Sequence, residues 1–334
     1  MDVLVTGGAG YIGSVCVEEL LDSGFSVTVF DNLSEGHRSA VDPRASLIVG
    51  DLSDRAAVLA ALKAAQAEAV VHFAASALVG ESMKNPTKCF RNNVANSINL
   101  LDACAETGVR KFVFSSTCAV YGMPDRLPID ESLTQRPANP YGQSKLMIEQ
   151  MLPWYRQLHG IEFATFRYFN AAGASERFGE HHRIETHLIP NILKTALGQK
   201  TSVEVFGTDY PTPDGTCIRD FIHITDLAQA HILALQPGKE GCFNLGNGTG
   251  FSVREVIHSC QRLSGQSIQV IEQPRRAGDP PHLVAVADRA LGELGWKPRY
   301  TTLESMVQTA LKWHRRHPDG YPNDPVDLFA AVSN

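Results

Sequence analysis

MDVLVTGGAGYIG, residues 1–13, decides the fold. A short apolar run at 3–5 leads into Gly7, Gly10 and Gly13, and a helical apolar pattern follows through Val15, Leu20 and Leu21. This reads as strand, glycine turn, helix. Gly7 permits a tight turn, Gly10 a close approach to the backbone, and Gly13 close packing of helix on strand; the spacing GxxGxxG differs slightly from the GxGxxG of many dehydrogenases. A helix N-terminus offers unpaired N–H groups and the positive end of its dipole, which suits a pyrophosphate. A second strand at 25–30 ends at Asp31, where an acid can bind adenosine ribose hydroxyls and disfavour a 2′-phosphate. The combination predicts a site for NAD(H) rather than NADP(H), although Asp31 beside Asn32 would also suit a turn.

Working outward, the alternation continues. Residues 46–49 and 69–72 read as strands, 55–67 as an Ala-rich helix and 73–84 as a loop. Asn85-Pro86 suits a helix start, with Asn as cap and Pro at the first position. That helix should run to about Thr107 and stop at Gly108. Residues 111–115 and 162–167 are further strands, and between them a helix follows Tyr141, which Pro153 should kink or interrupt. Such alternation predicts an α/β fold, a Rossmann-like doubly wound parallel sheet with helices on both faces and ligands at the carboxyl ends of the strands. Past about Asn170 the pattern fades into segments rich in Gly, Pro, Asp and His, with helices at about 188–197, 225–235 and 253–263. Residues 1–170 are therefore expected to form the dinucleotide-binding domain. Residues 171–334 should form a smaller α/β domain mainly for substrate, with about 219–245 returning to pack on the first.

Composition bounds the function. At 334 residues the chain has ample material for a large core and more than one domain. Apolar content of 43% and charged content of 20% are ordinary for a globular protein. A net charge of −6 offers no footprint for nucleic acid, and an anionic substrate would need local basic residues. No apolar run approaches the ~20 residues of a membrane span. The start has no basic region and is already the first strand, unlike a signal peptide. The seven cysteines are odd in number, scattered and without CxxC, which favours reduced thiols in the cytoplasm over disulfides or a metal site.

The loops at the strand ends carry the chemistry. In NPYGQSK, residues 139–145, Tyr141 and Lys145 lie four apart and share a helix face. A phenol titrates near pH ~10, and a nearby cation lowers that value, so the pair can exchange a proton with a substrate hydroxyl. The same spacing also decorates many solvated helices. Strand 111–115 runs into Ser116-Thr117-Cys118-Ala119, where the Thr117 hydroxyl either shares a proton with Tyr141 or merely caps the strand end. Strand 69–72 runs into Phe73, Ala74 and Ala75, small enough in part to let a cofactor approach, and His72 reads as a packed strand residue. Asp51 and Leu52, after the third strand, are placed to flank an adenine.

GGAGYIG, SSTCAVYG, YGQSK and RYFNAAGA together resemble the extended short-chain dehydrogenase/reductase superfamily. FGTDYPTPDGTCIRDFIHITDLA and the later RRAGDPP resemble, more narrowly, the UDP-glucose 4-epimerase family, and the likeness runs over residues 1–322. The resemblance implies that Tyr141 takes the proton of the sugar 4-hydroxyl while C4 passes hydride to tightly held NAD+. Lys145 would lower the Tyr141 pKa and bind the nicotinamide ribose. The 4-keto sugar would then turn and receive the hydride on its other face. By the same resemblance Tyr11 and Ile12 lie under the pyrophosphate, Asp31 and Asn32 meet the ribose, and Asp51 and Leu52 flank the adenine. Phe73, Ala74, Ala75, Asn92 and Phe169 would add cofactor contacts. Asn170, His187 and Leu188 would meet the substrate, as would Phe206, Arg219, Arg276 and Asp279 at the uridine and diphosphate, where forked guanidinium donors suit a dianion.

The chain departs from the family at four places. Thr117 stands where many members have Ser, which keeps the hydroxyl. Ala77 stands where some have Lys, and Thr186-His187 where some have two Asn. Leu283 is intermediate at a position that limits room near the sugar 2-substituent, so acceptance of N-acetylated sugars is open. Family members usually form homodimers, here through residues 86–107 and 141–158. Three other functions compete: a nucleotide-sugar dehydratase, a net dehydrogenase and a non-catalytic NAD-binding protein. Dehydratases typically carry Asp-Glu directly after the Thr. Cys118 and Ala119 supply neither, which favours return of the hydride.

Overall fold

The structure, a computed structural model, describes residues 1–276 and 278–322. In chain order the first strands are β1 (Asp2–Thr6), β2 (Ser26–Asp31), β3 (Ser46–Val49), β4 (Ala69–His72), β5 (Lys111–Thr117) and β6 (Glu162–Tyr168). They are followed by β7 (Asn170–Ala172), β8 (Val203–Phe206), β9 (Ile218–His223), β10 (Gly241–Leu245), β11 (Gly250–Ser252), β12 (Val270–Gln273) and β13 (His282–Leu283). The helices are α1 (Tyr11–Asp22), α2 (Arg55–Ala64), α3 (Val79–Lys84), α4 (Pro86–Phe90), α5 (Asn96–Thr107) and α6 (Pro140–His159), then α7 (Leu188–Ala196), α8 (Ile224–Ala234), α9 (Val253–Ser264) and α10 (Leu303–Arg316).

Seven strands form one parallel sheet in the order β3-β2-β1-β4-β5-β6-β10. Successive side chains of a strand point to opposite faces, and both faces are covered, so β1 and β4 carry consecutive apolar residues, Val3 to Val5 and Ala69 to Val71. Val3 and Val5 join one core layer with Val15 of α1 and Leu227 of α8, while Leu4 joins the other with Val58 of α2, Leu100 of α5 and Ile148 of α6. Strand order reverses between β1 and β4, the place where such sheets hold ligands outside their carboxyl ends. The later strands form two small sheets, β11-β9-β13 with β7 on β9, and β8-β12. A third core, with Ile192 of α7, Phe221 of β9, Val256 of α9 and Leu311 of α10, lies beneath them.

Three elements depart from the sequence reading. Residues 73–84 are not all loop, because Val79–Lys84 is helical. The helix from Pro86 does start under an Asn85 cap, whose Oδ1 accepts from the Lys88 N–H at 3.0 Å, and it stops at Gly108 with φ 78°. Between α4 and α5, however, Arg91–Ala95 winds as a π-helix. Pro153 does not interrupt α6, which is continuous from Pro140 to His159. The ring sits on the exposed face, while Ile148 and Leu152 anchor the buried face, and that packing overrides the local cost of the proline.

The glycine turn is sterically obligatory. Gly7 has φ 73°, and a Cβ on Gly13 would fall 2.1 Å from the Gly7 carbonyl oxygen. Gly13→Ala is expected to lever α1 off the turn, with a loss of about 1–3 kcal/mol, the usual scale of overpacking. Urea unfolding reads the first effect, and the nicotinamide content of the purified variant, expected to fall, reads the second.

Candidate active site

The first turn of α1 is open for an anion. Gly10 precedes it, no side chain caps it, and no acid lies in it, so its N–H groups and dipole face outward. Tyr11 is fixed by its hydroxyl, which donates to the Gly173 carbonyl at 2.7 Å, and Ile12 packs against the core. At the end of β2, the Asp31 carboxylate accepts from the N–H groups of Ala9 (3.0 Å) and Leu33 (2.8 Å). Burial raises its pKa and these two bonds oppose the rise. Asn32 donates to Asp51 at 2.6 Å. Burial pushes Asp51 upward, but hydrogen bonds from Ser53 and Asn32 outweigh it and hold the group low. Leu52 is buried beside it. Asp51 and Asn92 line a cavity of about 460 Å³ together with Asn85, Arg91 and Asn96.

The β4 end closes the other side. The N–H groups of Phe73 and Ala74 both donate to the Thr6 carbonyl, at 2.9 and 3.1 Å. A Cβ on Gly7 would lie 2.5 Å from the Ala74 nitrogen, so backbone meets backbone here. Ala75 is partly buried. His72 is indeed structural: its ring nitrogens meet Thr6 Oγ1 at 2.6 Å and Ser97 Oγ at 2.9 Å, and burial beside Lys145 drops its pKa to about 3. An uncapped helix end, glycine at the point of closest approach and a carboxylate at the end of β2 together fit a dinucleotide.

Thr117 ends β5, and α6 starts against it. Asn139 caps α6 by accepting from the Gly142 N–H at 2.8 Å, and a Cβ on Gly142 would fall 2.6 Å from the Ala119 carbonyl oxygen. This close approach sets Tyr141 beside Thr117 at the end of β5. Burial pushes the Tyr141 phenol above its ordinary range, and Thr117 opposes that. Lys145 is 2% exposed; its Nζ donates to the Ser115 carbonyl at 2.8 Å and lies 4.9 Å from the Phe114 ring centre. Burial lowers its pKa to about 7, with Cys89 and Glu149 opposing. The sequence reading has Lys145 depressing the Tyr141 pKa. The geometry differs: the ammonium is turned to the strand, and desolvation rather than a neighbouring cation dominates the phenol. Burial also pushes Cys118 up to about 12, so the residue after Thr117 is a neutral thiol.

The other candidate residues lie on β7, β9 and β13 and in the segments around them. Phe169 is buried and its N–H donates to the Leu245 carbonyl at 3.2 Å, and Asn170 opens β7 opposite Phe221 of β9. Arg219, on β9, forms an ion pair with Asp279 and donates to its neighbour's carbonyl. Leu283 is in register with Arg219 and, with Cys118, packs on the cluster of Val120, Tyr121 and Phe169, which sets this part of β9 near the Thr117 loop. The Arg276 guanidinium lies over the Phe206 ring, 3.9 Å from its centre. His187 is held differently. It precedes α7, with Nδ1 2.7 Å from Glu180 and 3.4 Å from Glu185, and these carboxylates overcome burial to raise its pKa. Leu188 packs on the third core.

The NAD dependent epimerase/dehydratase family matches residues 3–246. The chain belongs to that family. Its cofactor is NAD, and its core is the parallel sheet described above. A UDP-glucose 4-epimerase of Halalkalibacterium halodurans is 48% identical over 98% of this chain and 99% of its own. The crystal structure of UDP-glucose 4-epimerase from Brucella ovis in complex with NAD has a TM-score of 0.90 and 47% identity, covering 93% of this chain and 97% of that one. The Bifidobacterium longum UDP-glucose 4-epimerase in complex with NAD+ and UDP has a TM-score of 0.92 at 37% identity, over 96% of this chain and all of the other.

This member of the epimerase/dehydratase family also has supporting residues that the sequence reading passes over. Asn93 accepts from the Ser76 N–H at 2.8 Å and donates to Ser144 Oγ at 2.9 Å, which joins the β4 loop to α6. Glu149 lies buried against Arg167 beneath Lys145. Its signal was present: the same four-residue step that links Tyr141 to Lys145 reaches Glu149.

Proposed function

We propose that this protein is a UDP-glucose 4-epimerase, interconverting UDP-glucose and UDP-galactose. The observation that carries the reading is the placing of Tyr141 beside Thr117 at the β5 end, followed by the uncharged Cys118 and Ala119. A dehydratase needs an acid and a base there, and none is supplied. Relatives bearing the epimerase name over nearly the full chain support it. Tyr141 would hold and return the proton of the sugar 4-hydroxyl at its Oη, and Thr117 would orient that hydroxyl. Lys145, fixed on Ser115, would present its ammonium to the nicotinamide ribose. Bound NAD+ would supply a hydride acceptor that gives the hydride back. The α1 turn would hold the pyrophosphate, Asp31 the ribose, and Arg219 and Arg276 the substrate diphosphate and uridine. Asn170 and the backbone at His187 and Leu188 would complete that side.

We further propose the division into a cofactor domain (1–170) and a mainly substrate domain (171–334) from which about 219–245 returns to pack on the first, a reading supported by β10 at the edge of the seven-stranded sheet and Leu227 of α8 in its core layer. Residues 323–334 of the second lie outside the described residues. The seven cysteines are all free, and no helix among the described residues is long and apolar enough to cross a membrane. These facts support a cytoplasmic home. Homodimerisation through α5 and α6 is supported by the exposed Ile98, Met147, Trp154 and Leu158.

The test is incubation of purified protein with UDP-galactose and no added NAD. UDP-glucose is expected. A 4-keto-6-deoxy sugar without UDP-glucose overturns the reading. A parallel UDP-N-acetylglucosamine arm reads the room left by Leu283.

A further inference from the structure

We propose that Glu180, His182, Glu185 and His187 form a site for one divalent transition-metal ion of the zinc class. The four side chains each offer one ligand atom, and these atoms lie within 4.8 Å of one another. Three of the separations are 2.7 Å (His187 Nδ1 to Glu180), 3.3 Å (His182 Nε2 to Glu180) and 3.4 Å (His187 Nδ1 to Glu185). A tetrahedral ion bound by nitrogen and oxygen at ~2.0–2.2 Å holds its donors about 3.3 Å apart. The cluster is therefore close to ligating geometry without a change of backbone.

Independent observations point to an occupant. The second oxygen of Glu185 is buried with no hydrogen-bond partner, and His182 Nε2 has the 3.3 Å approach to Glu180 without a well-formed hydrogen bond. The Glu185 side chain is only 4% exposed and that of Glu180 only 7%. Buried polar atoms left without partners are costly and rare. The ion pairs described for these two carboxylates are all with histidines. Two imidazoles among the donors favour zinc, cobalt or nickel over magnesium and calcium, which take oxygen ligands.

The position says what such an ion would do. All four ligands lie within eight residues, so little loop entropy is lost in assembling them. The segment begins where Gly179 packs on Trp313 of α10, since a Cβ there would fall 2.3 Å from the indole. It then brings the His182 ring edge-on to Tyr11, at 6.2 Å and 90°. Tyr11 is the first residue of α1. The ion would clip the segment before α7 to the turn that binds the cofactor pyrophosphate, a structural rather than a redox role.

Cobalt is the probe. Tag-free protein, stripped with a chelator and titrated with Co2+, is expected to take up one equivalent. It should show the strong visible absorption of a four-coordinate cobalt site, which Zn2+ then abolishes by displacement. His182→Ala and Glu185→Gln should each lose the absorption; the second keeps the side chain's shape, so misfolding does not explain its loss. Wild-type protein without the absorption, or variants that retain it, would overturn the site and leave a histidine proton as the sole occupant.

Discussion

Tyr141→Phe is expected to lower kcat for UDP-galactose to UDP-glucose conversion by about a thousandfold, while the purified variant keeps its nicotinamide. General acid–base groups contribute on the order of 10²–10⁴ in rate, and the phenol is the group beside Thr117 at the β5 end. The ring stays, so the packing of α6 against the Ala119 carbonyl stays too. The two readouts separate roles. Activity within tenfold of wild type would remove Tyr141 from proton transfer. Loss of bound nicotinamide along with activity would reassign it to cofactor binding. Burial holds the isolated phenol above its ordinary range, so the positive nicotinamide ring must provide much of the charge that favours phenolate. The variant tests the proton step without depending on that balance.

The first half of the fold was legible because its signals are local. Val3 to Val5, the three glycines and Asp31 lie within 31 residues: the run forms β1, Gly7 makes the turn, Gly13 packs against it, and Asp31 ends β2 and holds the Ala9 and Leu33 N–H groups. Asn85 was readable as a cap for the same reason. What was not legible depends on distant partners. Pro153 is tolerated because Leu152 is pinned by residues far away in sequence. Lys145 turns to Ser115 because β5 lies beside α6, thirty residues back in the chain. Arg219 faces Asp279 across 60 residues. The Glu180 to His187 cluster was missed for another reason. A search for metal ligands by cysteine spacing does not find two histidines and two glutamates in an irregular loop.

Glu149→Ala is expected to destabilise the fold by about 3–5 kcal/mol, the usual consequence of stranding one member of a buried ion pair. Glu149 and Arg167 are 3% and 6% exposed, with Arg167 Nε 3.1 Å from both carboxylate oxygens and Nη2 2.5 Å from one. Ser116 donates to the same carboxylate. Arg167 Nη1 donates to the Tyr121 hydroxyl at 3.0 Å, which donates to Asn244 at 2.7 Å. Asn244 lies on β10 in register with Arg167. The pair thus joins α6, which carries Tyr141 and Lys145, to β5, β6 and the last strand of the sheet. Removing only the carboxylate leaves a guanidinium that water cannot reach. Removing both charges, as in Glu149→Leu with Arg167→Met, should recover most of the loss, because apolar replacements of similar size often match a buried pair. Equilibrium urea unfolding of Glu149→Ala, of the single variants Glu149→Leu and Arg167→Met, and of their double variant measures this. A single-variant cost below about 1 kcal/mol, or a double variant that costs the sum of the two singles, would show the residues to be energetically independent.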